Sequence, residues 1–178
     1  TAGGITFSLG TTVQGNQLTM GADPFTVKTD ADSSISSVIS GAGALTKSGS
    51  GTLTLSGANT YAGATTVNAG TLDVTGSVAS TAVTVADGAT LRVDGSSLGD
   101  TAAVTLTGNL TLSAAETIGS LAGAGTVTNG GFTLTAGDNS NTTFSGVASG
   151  TGGLTKAGSG TLTLSDDNTY TGATTVSA

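Results

Sequence analysis

Apolar residues recur at every second position of this chain, in short runs. Val83 and Val85 flank a Thr, and Leu91 and Val93 flank Arg92. Val104 with Leu106, Leu110 with Leu112, and Phe132 with Leu134 follow the same spelling. So do Ile5, Phe7 and Leu9, then Leu18 and Met20, then Phe25 and Val27. Such alternation predicts short strands with one buried face. Gly-containing pairs punctuate the runs, as at Asp87-Gly88, Asp94-Gly95 and Asn129-Gly130, where turns are expected. Thr, Ser, Gly, Asn and Asp fill the intervening positions, and all are poor helix formers. The chain therefore reads as all-β.

The pattern also repeats at long range. Residues 43–69 and 152–178 align at an offset of 109 with 21 of 27 positions identical. Weaker similarity extends upstream, so the two copies span 35–74 and 144–178 of a single repetitive unit, 1–178. The first copy continues as Gly70-Thr71-Leu72-Asp73-Val74. The chain stops before that point in the second copy and does not begin with Met, so it is expected to be a fragment of a larger protein.

A sandwich or closed barrel could use the same strands. The small aliphatic spelling of the inward positions favours a narrow stacked coil, with Thr on the outward positions forming ladders. A rung of three strands and three turns needs roughly 20–25 residues, which makes the offset about five rungs and the chain about eight. The expectation is a parallel β-helix, a rod about 40 Å long at about 4.8 Å per rung. Its uncovered ends would expose strand edges, and head-to-tail stacking of rods follows from that.

Composition narrows the chemistry. Cys and His are absent, so Cys/His zinc sites, disulfides and His-dependent triads are excluded. Four Lys plus Arg against eleven Asp plus Glu give a net charge of −7, which argues against a phosphate-tracking nucleic-acid surface. No apolar run is long enough for a membrane helix, so this segment is not expected to insert into a membrane. No leader is visible at the N-terminus.

The run Gly49-Ser50-Gly51-Thr52-Leu53-Thr54-Leu55-Ser56, with Asn59-Thr60-Tyr61, Gly63 and Thr65-Thr66-Val67, resembles the autotransporter-associated β-strand repeat. The second copy resembles it through Gly158-Ser159-Gly160-Thr161-Leu162-Thr163-Leu164, Asn168-Thr169-Tyr170, Gly172 and Thr174-Thr175-Val176. The resemblance implies a right-handed parallel β-helix in the passenger of a Gram-negative autotransporter or a similar large secreted surface protein. It also implies export across the outer membrane to the cell surface, with adhesion, aggregation or biofilm roles. The absence of Cys suits such export, because no disulfide can form on the way.

Several residues invite a functional reading. Asn59 and Asn168, before Tyr61 and Tyr170, could form a ligand-facing surface, but a turn with Tyr packed over a corner is expected. Asp166, Asp167 and Asn168 could offer oxygen ligands to calcium. The first copy has Gly57 and Ala58 there, so no metal site is assigned. Lys47 and Lys156 are expected at solvated strand edges. Arg92 and Asp94 should share a face as an exposed ion pair, with Asp87 nearby. Asp30 and Asp32 are paired carboxylates without a fixed cleft. Gly41, Gly43, Gly49 and Gly51 lack the Lys-Ser/Thr and helix of a phosphate loop and are expected in turns.

No catalytic, cofactor or metal residue is therefore assigned, and the chain is expected not to be an enzyme. The leading reading is an extracellular adhesive module whose partner is a second rod or a host or matrix surface. A passive stalk or filament-forming repeat is the alternative, and a polysaccharide-active β-helix a distant third.

Overall fold

The computed structural model describes residues 4–7, 11–95 and 97–177, all as strands, turns and connections with no helix. The strands form three faces of a coil, and every strand pair is parallel. The first face has nine strands: Gly4–Phe7, Phe25–Thr29, Leu45–Ser48, Thr65–Val67, Ala82–Val85, Ala103–Leu106, Ser120–Gly123, Thr142–Phe144 and Leu162–Leu164. The second has eight, from Thr12–Val13 to Val147–Ser149. The third is broken into shorter ladders, the longest running Glu116–Ile118, Leu134–Ala136, Leu154–Ala157 and Thr174–Ser177. The chain visits the faces in rotation, which makes a parallel β-solenoid of about eight turns.

The alternation read from the sequence becomes a set of inward ranks. On the second face Leu53, Leu72, Leu91 and Leu110 stack in register, and all are fully buried. Leu55, Val74, Val93 and Leu112 form the parallel rank beside them. One rung cannot hide its own apolar residues, so each depends on its neighbours above and below. Burying each such side chain contributes about 1.5–3 kcal/mol. The core is not wholly aliphatic. Tyr61 and Phe144 are also fully buried, and Phe144 follows Gly123, which adds no side chain to the same rank.

Rungs are shorter and less regular than expected. Thr105 pairs with Ala122 seventeen residues later, and Gly4 with Thr26 twenty-two later. The repeat offset is therefore not a whole number of coils. From Thr46 the first-face register runs through Thr66, Thr84, Thr105 and Ala122 to Thr143 and Thr163. The repeat equivalent of Thr46 is Thr155, which lies on the third face opposite Thr135. The second copy is thus rotated by one face. Its Leu162–Leu164 strand joins the first face, whereas Thr52–Leu55 joins the second.

One local expectation also changes. Phe132 is 39% exposed and outside a strand, and the strand begins at Leu134. The turn at Asn129-Gly130, with Gly130 at φ 55°, forces this: Phe132 N–H donates to Asn129 O and closes the loop. Leu9 lies outside the described residues.

Candidate interaction surface

Three outward ranks run down the first face. The central rank is Thr26, Thr46, Thr66, Thr84, Thr105, Ala122, Thr143 and Thr163, none of them buried. On one side run Ala44, Ala64, Ala82, Ala103 and Ser120. On the other run Lys28, Ser48, Asn68, Ala86, Thr107, Ala124, Ser145 and Ser165. Lys28 is the single ionisable side chain in these ranks, and it is paired with Asp30. The result is a flat hydroxyl-and-methyl strip on a chain of net charge −7. Successive threonines repeat at the rung spacing of about 4.8 Å.

The second face is more mixed. Ser34 Oγ donates to Thr12 Oγ1 at 3.1 Å, and Thr126 Oγ1 to Asn109 Oδ1 at 2.6 Å. Arg92 sits over Asp73 of the preceding rung, with Nε 3.9 Å from Oδ1, and its Nε also donates to Ser113 Oγ at 3.4 Å. Its partner is therefore Asp73 and not Asp94. Cross-rung neighbours lie about 4.8 Å apart, closer than the i, i+2 distance along a strand.

Polar side chains inside the corners clamp successive rungs. Asn59 belongs to a strand and not to a turn, paired with Val78. Its Oδ1 accepts from Ile39 N–H at 2.9 Å, and its Nδ2 donates to Gly57 O and Ser77 O at 2.9 and 3.0 Å. One amide thus ties three rungs. Tyr61 packs inside the coil, with its hydroxyl 2.7 Å from Thr65 Oγ1. Burial raises its pKa, which keeps the phenol neutral.

Lys47 overturns the solvated-edge expectation. It faces inward in the rank of Val27 and Val67 and is fully buried. Its ammonium donates to the carbonyls of Ser48, Gly49 and Ala69 at 3.0, 2.8 and 3.0 Å. A buried charge persists when hydrogen-bonded in this way. Desolvation still lowers its pKa to about 8, opposed by Asp30. Lys156 is half-buried.

The structure adds one clamp that alternation could not reveal. Glu116 is buried and accepts from Ser97 N–H at 3.0 Å and Leu98 N–H at 3.1 Å. Burial raises its pKa, and the two N–H bonds work against that. The only sequence signal was its being the single Glu of an acidic chain.

The remaining candidates do not converge. Asp166 and Asp167 are exposed, and among the described residues no group of three or more acidic side chains is placed to hold a metal ion. Asp32 caps Thr52 N–H at 2.9 Å, which lowers its pKa, while Asp30 pairs with Lys28. Gly41 ends the strand Ile39–Gly41, opposite Met20, rather than sitting in a turn, whereas Gly49 lies in a bend; their φ values are 109° and 79°. A Cβ on Gly41 would lie 2.0 Å from Met20 O.

Comparison with known proteins bears on the two copies. Residues 45–74 and 154–178 match the passenger-associated-transport-repeat family. A 64-residue stretch is 53% identical to the adhesin BmaC autotransporter of Brucella suis biovar 1 (strain 1330), covering 32% of this chain. That stretch amounts to 2% of the curated relative's length. No solved structure matches.

Proposed function

We propose that this chain is part of a surface-exported passenger and works as an adhesin-type module, with its contacts spread along the first face of the coil. The repeat matches support the autotransporter setting. The observation that carries the reading is the first-face strip, with one ionisable side chain on a rod of net charge −7. Like-charged rods repel over a Debye length of about 8 Å. Two such strips can approach without setting carboxylates against each other, and Thr, Ala and Ser are small enough for flat contact. Each contact is weak because aromatic and Arg anchors are missing. Many rods on one cell supply avidity. The partner is a second rod, and the module performs no catalysis.

The test displays the segment on two differently labelled cell populations and counts mixed clumps. Clumping only between displaying cells, lost on Thr66→Lys with Thr84→Lys, supports the reading. Binding to host matrix without clumping moves the partner to that surface. Neither clumping nor matrix binding leaves a passive stalk.

A further inference from the structure

The third face is built in separate ladders, and one of its breaks falls in the middle of the rod. Below this break, Leu98 bridges Val78 of the preceding rung. Val78 N–H donates to Ser97 O at 2.7 Å, and Gly99 N–H donates to Val78 O at 3.1 Å. Ser97 Oγ adds a bond to Val74 O at 3.1 Å. Above the break, Glu116–Ile118 pairs with Leu134–Ala136, and Glu116 N–H donates to Thr133 O at 3.1 Å. Residues 97–99 are therefore bound to the rung below and residues 116–118 to the rung above.

Among the described residues, no backbone hydrogen bond joins 97–99 to 116–118. Stacking holds on both sides of this gap. Ser113 N–H donates to Val93 O at 2.8 Å, and Gly119 N–H donates to Ala102 O at 3.0 Å. The first and second faces run past it unbroken, with Ala103–Leu106 paired to Ser120–Gly123 and Thr90–Val93 to Asn109–Leu112. The Glu116 carboxylate reaches across the gap, and its two oxygens accept from Ser97 N–H and Leu98 N–H at 3.0 and 3.1 Å. Glu116 is 2% exposed, and Leu98 and Ile118 are buried on either side.

We propose that this gap is a latched seam: the coil bends open along its third face between Leu98 and Thr117, about the continuous first and second faces, and the Glu116 carboxylate is the latch. Opening there breaks no ladder bond. It gives up the two N–H bonds to the carboxylate and wets Leu98 and Ile118. Another break of the third face, between Ile39–Gly41 and Ala58–Asn59, is spanned by backbone bonds from Thr60 and Ala62 N–H to Ile39 O and Gly41 O, so it stays shut. An opening confined to one seam needs less free energy than global unfolding. It leaves the first-face strip in place and stands whether or not that strip adheres.

Amide hydrogen exchange of the full chain, followed by NMR, tests the seam. Leu110, in the middle of the second-face ladder, is the reference. In the native protein the Ser97 and Leu98 amides should exchange at least about a hundredfold faster than that of Leu110. Their rates should barely change in sub-denaturing urea, because little surface is exposed, whereas that of Leu110 should rise. Glu116→Gln keeps one acceptor oxygen and sets an amide NH2 against the other N–H, so the Ser97 and Leu98 rates should rise at least about tenfold. Asn59→Ala weakens rungs away from the seam. It should speed Leu110 and leave Ser97 and Leu98 within about twofold. Exchange at Ser97 and Leu98 as slow and as urea-dependent as at Leu110, indifference to Glu116→Gln, or equal acceleration of all three amides by Asn59→Ala overturns the proposal. The native-protein and Asn59→Ala comparisons decide it if Glu116→Gln fails to fold.

Discussion

Lys47 and Lys156 stand at the same place in two copies of one sequence, yet one is sealed inside the first face and the other lies half-buried on the third. The two ammonium groups differ in the carbonyls they reach. Lys47 donates to Ala69 O at 3.0 Å as well as to its own turn, whereas among the described residues Lys156 donates to the carbonyls of Ala157 and Gly158. In a solenoid the burial of a residue is a property of its neighbours' stacking as much as of its own strand.

That relationship predicts a pH dependence. The folded pKa of Lys47 is about 8, below its ordinary 10.5. Between those values the unfolded chain binds the extra proton, so stability rises with pH. Urea midpoints should therefore increase from pH 7.5 to pH 10 in the native protein. Lys47→Met should flatten that slope, and an unchanged slope would remove Lys47 as its source.

Glu116 predicts an opposite trend at acid pH. Its folded pKa is raised, so the folded state holds the proton more tightly and this group's contribution weakens as pH climbs above the unfolded value. Glu116→Ala leaves the buried N–H groups of Ser97 and Leu98 without acceptors, at about 1–3 kcal/mol each. Chemical denaturation should show a loss of roughly 2–5 kcal/mol. A loss within about 0.5 kcal/mol would mean that water replaces the carboxylate.

The two Asn clamps should respond unequally. Asn59 is 1% exposed and makes three bonds, two of them to neighbouring rungs, whereas Asn168 is half-buried and makes two, one of them to a neighbouring rung. Asn59→Ala should cost about 2–3 kcal/mol and Asn168→Ala about 1 kcal/mol or less. Thermal melts of the two variants compare them directly, and equal shifts would count against burial and bond number as the cause.

Arg92→Ala should change stability by less than about 0.5 kcal/mol, because the Arg92 side chain is exposed and its contact with Asp73 is 3.9 Å long. Gly41→Ala should be far worse. Its φ of 109° and the 2.0 Å approach of a Cβ to Met20 O require backbone movement, at about 1–3 kcal/mol or more. Denaturant midpoints of the pair rank the two effects.

The alternation of Val, Leu and Ile with Thr determined the strands and their inward faces, and the small aliphatic spelling with the internal repeat favoured the parallel stacked coil over a sandwich or barrel. Period-two patterning is a local property, and Asp87-Gly88 and Asn129-Gly130 set the turns through backbone sterics alone. The internal repeat and its family resemblance were equally legible, because they lie in the spelling. What the sequence could not settle was which rung covers which. The rotation of the second copy depends on the summed lengths of all intervening turns, each free to vary between rungs. Lys47 read as a surface cation because its cage of carbonyls comes from residues 48, 49 and 69, brought together only by the coil. Arg92 found Asp73 and not Asp94 for the same reason. Contacts across rungs are long-range in sequence and short in space, so only the stacked structure decided them.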